Sequence, residues 1–321
     1  MEKKNQALLW AGKRYHSLNY HLRQKFGQKV FKIPLDAGLT CPNRDGSKSV
    51  GGCAFCSLKG SGDFAGDRQV NIAQQFEQVK DIMHRKWAEG KYIAYYQAFT
   101  NTYAPVEELE RLYNLAWQQP GVVGLAVATR PDCVSSAVIE LLEQVGKKIY
   151  LWVELGLQTI HPVTAENMNM HYGLNDFEKA LKGLRSRNIE TCAHIILGLP
   201  GESREDMIGT ARAIAGMDIQ GVKIHLLHLM RGTWLEEVYR KDPFPFMELN
   251  EYADLVVDIL EMLPAEMVIH RLTGDSPRHL LIGPEWSLNK WEVLNQIDRR
   301  LLEIDSWQGK YNQRDTVEKG T

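Results

Sequence analysis

Three cysteines crowd into one loop of the chain, CPNRDGSKSVGGCAFC (residues 41–56), in a C-x11-C-x2-C arrangement. Cys53 and Cys56, two residues apart, can turn both thiolates toward one metal site. The glycine-rich insert can fold Cys41 in beside them. A structural zinc is one reading, since a Cys₃His site needs only one of the chain's ten histidines. Buried packing thiols are a poorer reading for three clustered cysteines beside Gly51-Gly52. An iron–sulfur cluster is the preferred one. Full cysteine ligation of a four-iron cluster takes four thiolates. Three leave one iron open to a substrate or cofactor, an arrangement for catalysis rather than for electron carriage alone. Cys133 and Cys192 lie far from this loop in sequence and receive no role. Cys192 falls in an apolar run, where a free cysteine behaves as a small hydrophobe.

Positioning such a loop takes a scaffold, and the apolar pattern supplies one. Short apolar, β-branched or aromatic runs at residues 30–35, 92–99, 122–128, 149–155, 191–197, 222–229 and 267–272 lack clean alternation. This suits strands buried on both faces. Between them apolar residues step by three or four, as in Ile72, Phe76, Val79, Met83 and Trp87, or Tyr252, Leu255, Val256, Ile259 and Leu263. Thr164 and Ser203 are expected to cap helices, with Asn175 or Asp176 capping the helix of Phe177. The resulting βαβα rhythm predicts a parallel sheet covered by helices, as an open doubly wound sheet or a full or partial barrel.

In such folds chemistry gathers at the carboxyl ends of the strands. Every run here ends in polar, glycine-rich or ionisable residues: Asp36 and the cysteine loop, Thr100-Asn101-Thr102-Tyr103, and Thr129-Arg130-Pro131-Asp132. Glu154 and Gln158, GLPGES (198–203), His225, His228 and Arg231, and His270, Arg271, Thr273 and Asp275 complete the set. That density favours an enzyme with one large polar cavity.

Composition removes other classes. The 321 residues are 44% hydrophobic and 24% charged with a formal charge of −2, which excludes disorder and a uniformly polybasic nucleic-acid binder. An odd five cysteines argue against a secreted disulfide scaffold. The first residues lack the apolar core of a signal peptide, and no apolar run is long enough to span a membrane. A cytoplasmic protein is expected.

The cysteine loop and the strand ends together resemble the radical S-adenosylmethionine (SAM) superfamily. Its usual fingerprint is C-x3-C-x2-C with an aromatic residue before the last cysteine, and Phe55 fills that place. The wider first gap is similar to the branch containing the catalytic subunit of Elongator. So are ATRPD (128–132), VELGLQT (153–159), HIILGLPGES (194–203) and VKIHLLHLMRGT (222–233). The stretch HRLTGDSPRHLLIGPEWSLNKWEVLNQI (270–297) resembles the YhcC/YtqA-like bacterial subfamily. The likeness covers roughly residues 25–300.

It implies an α/β fold, a partial (β/α)₆-type TIM barrel with N-terminal and C-terminal extensions. The expected divisions are a basic extension (1–29), the barrel (30–240), a C-terminal α/β extension (241–307) and a frayed tail (308–321). It further implies a [4Fe–4S] cluster on Cys41, Cys53 and Cys56, with SAM chelating the open iron. Electron transfer to SAM would yield methionine and a 5′-deoxyadenosyl radical, which abstracts hydrogen from an unactivated C–H bond. The cofactors supply that reactivity while the protein orients and excludes water. By position Phe55 stacks near adenine, and Thr100 and Asn101 hold the methionyl amino group. Thr129, Gln158 and His194 match SAM-contacting positions of coproporphyrinogen oxidase, where carboxylates stand at the places of Thr129 and His194. GLPGE serves either as backbone against the nucleoside or as a tight turn. Glu154 is read as orienting SAM or pairing with Arg130, or as part of a structural ion pair. His225, His228, Arg231 and Asp275 are candidates to face the substrate.

The Elongator-like branch acts on the wobble uridine of tRNA, so the resemblance implies tRNA as substrate. For the subfamily it implies processing of a 5-carboxymethylaminomethyl group to 5-aminomethyl, which a separate tRNA methyltransferase then methylates. A low-potential donor such as flavodoxin or ferredoxin would supply electrons. Residues 1–32 hold eight Lys and Arg against Glu2, interleaved with Trp10, Tyr15, Tyr20 and Phe26. Cations with aromatic platforms suit phosphate contact and base stacking, and a solvated basic helix packed on the barrel is the competing reading. Two alternatives stay open: radical chemistry on a small molecule such as a porphyrinogen, and a non-enzymatic metal-binding redox or scaffold protein.

Overall fold

In the computed structural model, residues 9–312 are described apart from 86 and 88. All seven apolar runs form strands: β1 (Val30–Leu35), β2 (Lys91–Tyr96), β3 (Val122–Thr129), β4 (Tyr150–Gln158), β5 (Glu190–Leu197), β6 (Gly221–Leu226) and, after a two-residue β7 (Leu229–Met230), β8 (Val268–Arg271). They pair in parallel in the order β1-β2-β3-β4-β5-β6-β8 and curl into an open barrel. Parallel neighbours need a crossover, and each one here carries a helix. These are α2 (Ile72–His84), α3 (Val106–Trp117), α4 (Ser136–Gly146), the short α5 (Pro162–Asn167) with α6 (Leu174–Arg185), α7 (Arg204–Ala215), and α8 (Trp234–Lys241) with α9 (Leu249–Met262) between β6 and β8. Residue 272 onward forms β9 (Leu281–Gly283), antiparallel to β7, and α10 (Lys290–Glu303), which packs on α9.

Both strand faces are covered, which explains the missing alternation. Ile33, Leu35, Tyr96, Val127, Val153, Leu155, Ala193 and Ile195 belong to the core shared with the helices. Val30, Ile93, Tyr95, Ala126, Ala128, Trp152 and Cys192 form a separate inner cluster with Leu22.

The seventh run, 267–272, pairs with β6 as β8, so the sheet gains this strand from within the stretch expected as the C-terminal extension. Several local expectations need revision. Thr164 lies inside α5, because Pro162 is already suited to the first turn and His161 takes the cap position. The helix of Phe177 is capped by Gly173, whose N–H donates to Asp176 Oδ2 at 3.0 Å. Ser203 caps α7 as expected, with Asp206 in a reciprocal box. Trp87 lies beyond the end of α2 and is half exposed.

The tail does not fray from its first residues. Gln308 is buried, accepting from the His16 N–H at 2.8 Å and donating to the carbonyls of Pro264 (2.6 Å) and Met267 (2.7 Å). A buried amide with three partners holds this stretch to the N-terminal segment. Residues 313–321 lie outside the described residues. Among the described residues no helix is long and apolar enough to cross a membrane.

Candidate active site

The loops after the strands open onto one cavity of about 550 Å³. Its wall includes Cys41, Cys53 and Cys56 together with Phe55, Thr100, Thr129, Gln158 and His194, so the structure gathers all but one of the residues expected to hold the cluster or SAM. Asn101 is the exception. It is fully buried behind the wall, and its side chain donates to the carbonyls of Tyr96 (3.2 Å) and Ala128 (3.0 Å). That amide braces the ends of β2 and β3.

A second loop holds the cysteine loop in place. Ala54 N–H donates to Met168 O (2.9 Å), Asn169 Nδ2 to Gly52 O (2.8 Å) and Asn43 Nδ2 to Asn169 O (2.5 Å). Asn43 Nδ2 also lies 3.6 Å from Cys53 Sγ. Burial, with Cys56 nearby, pushes the Cys53 thiol up to about 12. A bound cation would reverse this by stabilising the thiolate. Arg130 packs its guanidinium over Tyr172 and donates to Asp132 (2.9 Å) and Met170 O (3.0 Å). It therefore anchors this second loop rather than pairing with Glu154.

The end of β4 is shaped for close approach. A register shift between Gly156 and Gln158 and a left-handed φ of 66° at Gln158 turn that amide across the strand. A Cβ on Gly156 would stand 2.7 Å from Gln158 Nε2 and 3.4 Å from Tyr172 Oη. The glycine keeps this part of the wall open. The GLPGE segment, by contrast, is not on the cavity wall. Gly198 and Gly201, at φ 85° and 87°, make the β5–α7 turn, and Glu202 accepts from Thr159 at 2.5 Å.

Deeper in the cavity lies a charged cluster in which the sequence pointed to Glu154 and His194 but not to the two lysines. Glu154 is fully buried. Its Oε1 accepts from Lys32 Nζ (2.5 Å) and Trp152 Nε1 (3.0 Å), its Oε2 from Lys223 Nζ (2.7 Å) and His194 Nε2 (2.9 Å). Burial alone would raise this carboxyl, but Lys223 and Lys32 outweigh it and hold it well below the usual range. Burial, assisted by Lys223, lowers His194 to about 4; burial also takes His228 and His270 to about 4 and His225 well below its ordinary value. The four imidazoles are neutral near pH 7. Burial lowers Lys223 to about 8 despite Glu154. The available signal was a single lysine within each of two runs read as buried strands, VFKIPL and VKIHL, because lysine is almost never buried without a partner.

His225 and His228 line the cavity, as does Asp275, which pairs with Arg271 (3.0 Å) and Lys290 (3.1 Å). Arg231 is exposed on the β7–β9 ribbon and is not on the wall. The basic N-terminal segment falls elsewhere. Helix α1 (Leu18–Phe26) follows Ser17, which bridges to Ile269 near the start of β8. His21 meets Tyr150 at the start of β4, and Leu22 enters the inner cluster. Tyr15 is buried and Trp10 stacks on His16. This segment closes the end of the barrel opposite the cavity, so its aromatics are packing residues there. Lys3 and Lys4 lie outside the described residues.

A parallel open barrel with three cysteines on the cavity at its carboxyl end is an α/β enzyme scaffold with thiols available to a metallocofactor. Comparison with known proteins specifies it. The Radical SAM superfamily model matches residues 41–214 and the Radical_SAM C-terminal domain residues 219–303. YtqA of Bacillus subtilis (strain 168) is 52% identical over 302 residues, 94% of each chain. A tRNA uridine(34) acetyltransferase of Dehalococcoides mccartyi (strain CBDB1) is 26% identical over 158 residues, 48% of this chain and 34% of that one. The solved structure of Methanocaldococcus infernus Elp3 with an N-terminal deletion superposes with a TM-score of 0.64 at 16% identity. That match covers 87% of this chain and 64% of that one, a likeness of fold. The chain belongs to the radical SAM superfamily, whose enzymes use a [4Fe–4S] cluster and SAM.

The residues present fit those groups. Three thiols line one cavity, Gly156 leaves room against the wall, and the buried Oδ1 of Asn43 and Nη1 of Arg130 have no partner. Among the described residues no three His, Cys, Asp or Glu side chains converge as a ready ion cage, so the fit rests on the cavity wall.

Proposed function

We propose that this radical SAM enzyme acts in the cytoplasm on the wobble uridine of tRNA, converting a 5-carboxymethylaminomethyl group to 5-aminomethyl. Cys41, Cys53 and Cys56 would hold the cluster, and Phe55, Thr100, Thr129, Gln158 and His194 would contact SAM. When bound, these groups supply a carbon radical able to take hydrogen from an unactivated C–H bond. The chain itself orients the reacting carbon and excludes water.

The observation that carries the tRNA reading is the likeness to a tRNA uridine(34) acetyltransferase across about half of the chain. The site is compatible with it. A cavity of this size suits a small molecule or one extruded nucleotide, and a base in a single-stranded loop leaves its stack at least cost. Exposed Lys48 on the cysteine loop, Lys59 and Arg68 between that loop and α2, and Arg231 and Arg278 near the ribbon would meet phosphates. A flavodoxin or ferredoxin would deliver the electron, and a tRNA methyltransferase would consume the product.

The test is mass spectrometry of tRNA nucleosides from a strain lacking the protein. The 5-carboxymethylaminomethyl nucleoside should accumulate and its 5-aminomethyl descendants disappear. An unchanged profile refutes the tRNA reading and turns attention to small-molecule substrates.

A further inference from the structure

The cluster around Glu154 has a charge imbalance. Glu154 stands on the central strand of the sheet, while Lys32 comes from the first strand and Lys223 from the last but one. One carboxylate therefore serves two ammonium groups drawn from opposite sides of the barrel. The other groups facing them bring no second anion. Tyr95 Oη accepts from Lys223 at 2.9 Å, and its ring lies 3.6 Å under Lys32 Nζ. Arg271 is matched by Asp275, and His194, His225 and His270 are neutral by burial.

Donor capacity is also left over. Each ammonium carries three N–H groups. Lys223 uses two, on Glu154 and Tyr95, and Lys32 uses one, on Glu154. Both lysines line the cavity. Beside them the buried Nδ1 of His270 has no hydrogen-bond partner and lies 3.8 Å from Glu154 Oε1. A surplus buried cation is costly unless an anion joins it. A monoanion would bring the cluster to neutrality, and a carboxylate supplies one negative charge with two acceptor oxygens.

We propose that Lys32 and Lys223 form a carboxylate-binding ledge at the foot of the cavity, and that the molecule acted upon reaches it with an acidic arm. This rests on the tRNA reading for the identity of the arm, which is then the terminal carboxylate of the 5-carboxymethylaminomethyl group. Glu154 is the positioning residue that holds the two ammonium groups apart and aimed inward. The same chemistry has a second source in the methionyl carboxylate of SAM, and the two are separable.

The experiment uses reconstituted enzyme with SAM and two anticodon-arm RNAs, identical except for a 5-carboxymethylaminomethyl or a 5-aminomethyl wobble uridine. Wild type should bind the acidic form at least about ten-fold more tightly, a discrimination ordinary for a charge-assisted contact. Lys223→Met and Lys32→Met should each bring that ratio to within about two-fold, without changing the affinity for SAM or for the 5-aminomethyl RNA. The two variants are independent, since Lys32 is partly exposed and its loss leaves the Lys223–Glu154 pair intact. A ratio that survives both substitutions overturns the proposal. So does loss of SAM affinity with the ratio preserved, which would give the ledge to the cofactor.

If wild type neither converts the RNA nor discriminates between the two forms, the tRNA reading fails and the ledge is judged on acetate alone. Replacing chloride by acetate at constant ionic strength should raise the melting temperature of wild type saturably, and that of neither variant. An equal response in all three proteins, or none in wild type, overturns the ledge itself.

Discussion

Replacing Glu154 with glutamine keeps the side chain's shape and removes the one carboxylate that both buried lysines share. The amide still accepts through one oxygen, but its nitrogen is a donor set against two donors, Lys32 and Trp152 or Lys223 and His194 according to which oxygen it replaces. Breaking a buried ion pair from one side costs about 3–5 kcal/mol, because the other charge stays buried without a partner. Lys32 keeps some contact with solvent, so about 3–4 kcal/mol is the expected loss. Unfolding entropy near 2.1 cal/mol/K per residue, over 321 residues, makes each kcal/mol worth about 1.5 °C. Glu154→Gln should therefore melt about 4–6 °C below wild type, measured by calorimetry with both proteins in the same cofactor state. Lys223→Met leaves one carboxylate facing one ammonium and should cost less. The double variant should be more stable than Glu154→Gln alone, since it removes a cation that the first change stranded. A loss below about 1 kcal/mol for Glu154→Gln, or a double variant as unstable as the sum of the singles, would refute the account of the cluster.

Alanine at Cys41, Cys53 or Cys56 should abolish iron incorporation and 5′-deoxyadenosine release after anaerobic reconstitution. Cys133→Ala and Cys192→Ala should retain both, read by iron content, absorbance and product chromatography. Gly156→Ala places a methyl 2.7 Å from Gln158 Nε2 and should displace that amide; overpacking of this kind costs about 1–3 kcal/mol. The expected readout is a rise of about ten-fold or more in the Kd for SAM, with the melting temperature lowered by only a few degrees. Stability should also fall as pH drops from about 6.5 toward 4. In that window the unfolded chain protonates its histidines while His194, His228 and His270, lowered to about 4, stay neutral. At pH 5 one such imbalance is worth about 2 kcal/mol. Glu154, held ionised well below its ordinary range, adds to the loss only below about pH 4.5. Urea midpoints at pH 7.5 and 5 check the sign, and equal midpoints would contradict the burial of these imidazoles.

The parallel sheet was legible because its strands are buried on both faces and so appear as short apolar runs, each ending in polar residues. The cysteine loop was equally legible, since metal-ligand chemistry is written in residue type and short spacing. Boundaries were harder. Helix α5 begins at Pro162 rather than at Thr164, because capping depends on where the preceding chain turns. The seventh strand takes its place beside β6 through a pairing that no local pattern encodes.

Two readings depended on direction, and there the linear chain was silent. The basic aromatic N-terminus suited either nucleic acid or packing on the barrel, and its described part packs against the barrel end away from the cavity. Lys32 counted among those surface cations and instead points inward to Glu154, more than a hundred residues away. Of the readings open for Glu154, a buried ion pair is the one the structure bears out, with Lys32 and Lys223 as partners, while Arg130 found Asp132 within its own loop. By itself the sequence determined the strands, the three thiols and many of the polar groups on the cavity wall, because periodicity and close spacing are local properties of the chain. Only the tertiary structure decided which buried charges share a carboxylate, since curling the sheet brings β1, β4 and β6 around one interior where paired charges are selected by proximity in space.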